Sequence, residues 1–196
     1  MYFILGLPRS RTTWLSVFLS RGAGICHHEK SMYFGSLQEL KQFCIEHPKE
    51  GISDTALIQH WKWLRDNLPD AKIVVIVRDP DECAASLEHI GLPAESLGYL
   101  QDCLFGALHD PHIMRINFSD LNKIEYCKML YEYCKEEDFD LQWYEAIKDI
   151  NMQPDNAALL NEVNKNIHNI DALYGRNNQC LAQINLALAK TPERIG

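Results

Sequence analysis

A chain of 196 residues suits one domain, and 46% hydrophobic with 23% charged residues is an ordinary globular balance. The formal net charge of −8 argues against a general nucleic-acid or anionic-membrane partner. Seven cysteines at 26, 44, 83, 103, 127, 134 and 180, odd in number and without a C-x-x-C pair, argue against a disulfide framework or zinc ribbon and for reduced thiols in a cytoplasm.

No basic segment precedes the apolar Tyr2-Phe3-Ile4-Leu5, so the expectation is a cytoplasmic chain without a secretory leader. Phe3-Ile4-Leu5 reads as a buried strand ending at Gly6-Leu7-Pro8. A helix follows from Thr12 to Ser20, stopped by Gly22-Ala23-Gly24, and Ile25 to His28 reads as a short second strand. Leu37, Leu40, Phe43 and Cys44 share one helix face, with Ser36 as cap and Pro48 as stop. Ile52-Ser53-Asp54 reads as a strand end, and Leu57, Trp61, Leu64 and Leu68 predict an amphipathic helix. Lys72 to Val77 (KIVVIV) is a continuous β-branched run, the pattern of a strand buried on both faces of a parallel sheet. Asp79-Pro80 breaks it, and a helix is expected from Asp81 to Ile90. Ile113 to Phe118 reads as a strand, and Asn122 to Cys134, 141–150 and about 155–190 as helices.

Strands alternating with helices predict a three-layer α/β fold around a central parallel sheet. The whole chain, 1–196, reads as one domain with its core in about 1–135 and a helical C-terminal part from about 136.

Charge is uneven along this framework. Residues 1–28 carry Arg9, Arg11 and Arg21 and no acid, which points to a local anion site. The segment Gly6-Leu7-Pro8-Arg9-Ser10-Arg11-Thr12-Thr13-Trp14 lies between a strand and a helix, where backbone N–H groups and the helix dipole favour an anion. Laid on the Walker pattern G-x-x-x-x-G-K-[ST], it fails twice: Arg11 stands at the second Gly and Thr12 at the Lys.

Pro8-Arg9-Ser10-Arg11-Thr12-Thr13-Trp14 instead resembles the 5′-phosphosulfate loop of P-loop sulfotransferases, P-[KR]-S-G-T-T-W, at six of its seven positions. The departure is Arg11 for Gly, which matters if that position needs a positive φ. Val77-Arg78-Asp79-Pro80 with Ser86 similarly resembles the family's 3′-phosphate site, in which a Ser follows the strand-end Arg by eight residues. Ile116 to Leu121 is similar to a further strand-end segment, R-Y-E-D-L. The resemblance covers about 1–135. It implies a sulfotransferase-like P-loop fold and 3′-phosphoadenosine 5′-phosphosulfate as donor, held by Pro8, Arg9, Ser10, Arg11, Thr12, Thr13, Trp14, Arg78 and Ser86. It further implies that Arg9 contacts the bridging and 5′-phosphate oxygens, that Trp14 stacks on adenine, and that no metal is needed.

A base must take the acceptor's proton. Cys26-His27-His28-Glu29 ends the second strand about twenty residues after the loop arginine, where the tyrosylprotein and heparan branches place a catalytic Glu. Glu29 is therefore the first candidate and His28 the second, with Asp54 and His60 behind them. His109-Asp110-Pro111-His112 reads as a turn rather than a metal site, and Trp143 and Tyr144 as either core or acceptor-pocket residues. The expected acceptor is a small molecule or an exposed hydroxyl. Two other readings compete: a P-loop nucleotide or small-molecule kinase, and a sulfotransferase-like domain that binds a nucleotide without catalysis.

Overall fold

The computed structural model describes residues 1–95, 97–150 and 152. Five strands form one sheet: β1 (Tyr2–Gly6), β2 (Cys26–His28), β3 (Gly51–Asp54), β4 (Lys72–Val77) and β5 (Met114–Asn117). The order is β2-β3-β1-β4-β5, and every pairing is parallel. All the strands therefore end on one edge, the edge where α/β sheets bind ligands.

The side-chain alternation of the strands builds two cores. Phe3, Leu5, Ile52, Ile73 and Val75 face one side. There they meet α2 (Leu37–Glu46), α3 (Trp61–Asn67), α4 (Pro80–His89) and α5 (Leu97–Leu108). Tyr2, Ile4, Val74, Ile76 and Ile116 face the other, against α1 (Thr12–Phe18), α6 (Ile124–Lys135) and α7 (Leu141–Ile147). The result is the expected three-layer α/β fold. The chain leaves β1 for one layer and leaves β4, its neighbour, for the other. That divergence opens a crevice between the two strand ends.

Local chemistry explains the element boundaries. Ser36 accepts the Glu39 N–H at 3.2 Å and caps α2. Asp79 accepts the N–H of Asp81 at 2.8 Å and caps α4, whose first residue is Pro80. Two expectations need correction. The helix read from Leu57 through Leu68 begins as a 3-10 turn, Ala56–His60, and becomes α-helical only at Trp61. Asp54 causes this, because its carboxylate accepts the N–H groups of Ala56 and Leu57 at 2.9 and 3.2 Å and winds the first turn tightly. The second correction is α5, which the sequence reading passed over. Gly98 and Gly106 lie inside it and lower its apparent helix propensity. Gly106 has a packing reason: a Cβ there would stand 3.3 Å from Cζ2 of Trp61.

The expected helix at about 155–190, the pair Gly175-Arg176 and Cys180 lie outside the described residues. The six cysteines described are free thiols. Among the described residues, no helix is long and apolar enough to cross a membrane, and no cluster of His, Cys, Asp and Glu could hold a metal ion.

Candidate functional site

The loop between β1 and α1 is sharply curled. Arg9 has φ 71° and Arg11 φ 61°, both left-handed. Such residues turn successive backbone amides toward a common centre, the geometry of anion-binding nests. Gly6 lets the loop start close to β4, since a Cβ there would stand 3.2 Å from the Ile76 carbonyl oxygen. Pro8 opens the curl with its fixed φ. Ser53 Oγ donates to the Thr12 carbonyl at 2.9 Å and ties the loop to β3. Ser10 is fully buried in the curl, where its hydroxyl meets the weakly bonding Cys83 thiol and has no nitrogen or oxygen partner among the described residues.

The second motif closes on the first. Arg9 Nε donates to Ser86 Oγ at 3.0 Å, so α4 packs directly against the loop. Arg78 donates to the Arg9 carbonyl oxygen, lies 4.0 Å from the centre of the Phe118 ring, and reaches Glu82 at 3.3 Å. Burial, and next the neighbouring Arg78 guanidinium, lower the pKa of Arg9. Two guanidiniums, Ser86 and the orphaned Ser10 hydroxyl thus converge at the β1–β4 crevice. A bound anion would relieve the repulsion and give Ser10 a partner.

Two residues of the loop motif take other roles. Trp14 is 3% exposed, and its indole N–H donates to the Ile147 carbonyl at 3.0 Å. Phe18 stacks on it at 4.9 Å, and the Arg11 guanidinium sits 4.7 Å from its ring centre. The indole therefore belongs to the core under α7 and offers no face to adenine. Arg11 also turns away from the curl, donating to Asn122 Oδ1 at 2.9 Å and approaching the Leu121 and Lys148 carbonyl oxygens, each at 3.5 Å. Its guanidinium braces the loop against the segments around α6 and α7. In this geometry the side chains of Arg11 and Trp14, expected at the donor, point away from the curl. Only the left-handed backbone of Arg11 shapes the curl.

The other half of the edge is acidic. His28, at the end of β2, places Nε2 3.3 Å from Thr12 Oγ1 and 3.1 Å from Thr13 Oγ1. Glu29 Oε1 lies 3.7 Å from the same nitrogen. Glu29 is itself left-handed (φ 49°), which folds its side chain back toward β3. There Oε1 accepts from the Thr55 N–H and hydroxyl at 3.2 and 3.1 Å. Glu29 is thus not locked onto Arg9, the pairing that would have depressed its pKa. Burial, and then the adjacent Asp54 carboxylate, push it well above the usual carboxylate range. Burial also lowers the pKa of His28 and keeps the ring neutral near pH 7.

Asp54 is the group that sequence reasoning underrated. It is 0% exposed, and besides Ala56 and Leu57 it accepts the Ser31 N–H at 2.9 Å. It holds together the turns that follow β2 and β3. His60 lies one 3-10 turn further on, its pKa lowered by burial. An acid at the end of a strand, two and three residues before a turn's N–H groups, was the available signal. The remaining candidates are structural. Trp143 donates to the Phe18 carbonyl at 3.1 Å, Tyr144 is 5% exposed in the core, and Asp110 accepts from Arg65 at 2.5 Å and from the His112 N–H at 2.9 Å in the expected turn.

No protein-family model matches the chain, and no curated protein matches its sequence. Among solved structures it is similar to a sulfotransferase domain from the curacin biosynthetic pathway. The TM-score is 0.54 at 15% identity, over 80% of this chain and 78% of that one. The fold is that of a sulfotransferase domain.

Proposed function

We propose that the chain is a sulfotransferase, moving a sulfuryl group from 3′-phosphoadenosine 5′-phosphosulfate to an acceptor hydroxyl or amine. The observation that carries this reading is the meeting of Arg9 and Arg78 beside Ser86 and the orphaned Ser10 hydroxyl, with the Glu29–His28 pair facing the loop's threonines. The curled loop with Arg9, Ser10, Thr12 and Thr13 would hold the 5′ end of the donor, and Arg78 with Ser86 its 3′-phosphate. The donor supplies an activated sulfuryl group. Arg9 and the loop amides balance the charge that develops on the leaving phosphate. Glu29, its pKa raised by burial and then by Asp54, takes the proton that the acceptor oxygen loses as its bond to sulfur forms. Neutral His28 fixes the threonine hydroxyls next to that oxygen.

Thr12 stands where a nucleotide kinase needs its lysine, and this disfavours the kinase reading. Titration calorimetry with adenosine 3′,5′-bisphosphate, with and without magnesium, tests the proposal. Binding without metal is expected. Arg78→Ala should weaken the bisphosphate more than adenosine 5′-phosphate by roughly 1.5–3 kcal/mol, the worth of a charge-assisted contact. Equal losses for both ligands would remove Arg78 from a 3′-phosphate role. Magnesium-dependent ATP binding without bisphosphate binding would favour the kinase, and bisphosphate binding without any turnover the non-catalytic domain.

A further inference from the structure

A cleft opens on the acidic side of the site. Its walls come from the 3-10 turn after β2 (Lys30–Tyr33), the start of α2 and the 3-10 turn after β3. Its volume is about 180 Å³. Three of its lining residues, Ser31, Ala56 and Leu57, are the ones whose backbone N–H groups donate to Asp54. Behind those three N–H groups lies Asp54, the neighbour of Glu29, so a single layer of backbone separates the cleft from the carboxylate pair.

The lining has a clear chemical character. Phe34, Leu37, Leu40 and Leu57 supply an apolar wall. Gln59 and His60 supply neutral polar groups, since burial holds His60 uncharged. Among the described residues, no lysine or arginine lines it. Ser31 adds a second, independent feature: its hydroxyl is buried and has no hydrogen-bond partner. An orphaned hydroxyl costs stability unless something satisfies it. Apolar side chains beside an unsatisfied hydroxyl, with no carboxylate, lysine or arginine among the described lining residues, suit a neutral molecule.

We infer that this cleft is the acceptor subsite, and that it takes a compact neutral alcohol with an apolar body whose hydroxyl pairs with Ser31. The inference rests on the sulfotransferase reading for the word acceptor, while the cleft's ligand preference is testable without it. A polyanionic saccharide would find no lysine or arginine among the described lining residues to pair with.

Ligand-observed NMR on the full chain provides the test, with 1-hexanol and 6-hydroxyhexanoate as probes. The two share a six-carbon chain and a hydroxyl, and differ by a carboxylate. Hexanol should bind at least tenfold more tightly. Ser31→Ala should weaken hexanol about tenfold and raise the melting temperature, because it deletes an unsatisfied hydroxyl. A merely structural serine would not move the hexanol affinity. Leu37→Trp, at a half-buried position, should block the cleft and leave adenosine 3′,5′-bisphosphate binding intact. Equal binding of both probes, or unchanged hexanol binding in Ser31→Ala and Leu37→Trp, would overturn the inference even if the bisphosphate binds. Hexanol binding that follows these variants without any bisphosphate binding would overturn the sulfotransferase reading and leave the cleft's preference standing.

Discussion

The two halves of the sheet's carboxyl edge are built on opposite principles. On the β1–β4 side, cations are brought together: Arg9 and Arg78 lie close enough for one to lower the pKa of the other. On the β2–β3 side, carboxylates are brought together, and burial and then Asp54 push the pKa of Glu29 upward. Neither cluster is comfortable alone, because each concentrates one sign of charge in partial burial. The cationic half gains stability from an anion. The acidic half gains it from a proton, and is therefore equipped to exchange one. On the proposed reading, placing the two halves side by side, joined through Thr12, Thr13 and His28, would set a leaving phosphate against a proton acceptor.

The sharpest way to break this comparison is at Glu29. Glu29→Gln retains shape and removes basicity, and should lower sulfuryl transfer to a primary alcohol by about 10²–10⁴-fold. Bisphosphate affinity should be nearly unchanged, since Glu29 bonds Thr55 and not the cationic half. In the wild type, activity should fall as pH drops through the raised pKa of Glu29, at a pH above that of an ordinary carboxylate, and the variant should lose this limb. Near-normal turnover in Glu29→Gln with loss in His28→Asn would transfer the role to the histidine. Stability gives an independent reading. A carboxyl with a raised folded-state pKa exacts no penalty below its unfolded pKa and the full penalty above its folded pKa. Glu29→Gln should therefore raise the melting temperature at pH 8, and the gain should shrink toward pH 4.

Asp54 probes the architecture of the acidic half. Its removal in Asp54→Ala strands the N–H groups of Ser31, Ala56 and Leu57 in a buried setting. A loss of about 3 kcal/mol in urea unfolding is expected, partly offset by relief of Glu29. A loss below about 1 kcal/mol would show that these turns hold themselves.

The cationic half was far more legible in the sequence than the acidic half, for a physical reason. Arg9, Ser10, Arg78 and Ser86 act from two contiguous stretches, each a strand followed by its own helix, so spacing alone carries the pattern. The continuous run of β4 and the short run of β1 left little doubt about the strands between which they sit. The acidic half depends on three segments meeting. Glu29 could be placed at a strand end, but its contact with Thr55 and Asp54 depends on the pairing of β2 with β3 and on a left-handed backbone that a glutamate seldom adopts. Trp14 shows the reverse dependence. Its position in the motif suggested a ligand, while α7, more than a hundred residues away, supplies the carbonyl that buries its N–H.

The smallest effect separates backbone from side chain at Arg11. The left-handed conformation costs a non-glycine residue about 1–2 kcal/mol, and glycine escapes it but loses about 0.5–1 kcal/mol through its freer unfolded chain. Arg11 offsets the strain with its bond to Asn122 and its stacking on Trp14, each worth about 0.5–1.5 kcal/mol. Arg11→Gly removes both strain and brace, and the sum is a net loss near 1 kcal/mol. Arg11→Ala removes the brace and retains the strain, so it should be the less stable of the two variants by about 0.5–1 kcal/mol. The guanidinium points to Asn122 and Trp14, so neither change should weaken bisphosphate binding by more than about twofold at any ionic strength. Its weakening at low salt in both variants would show that Arg11 contributes charge to the cationic half after all. Equal stability of the two variants would show that the loop relaxes out of the left-handed region once the brace is gone, making the brace the cause of the curl.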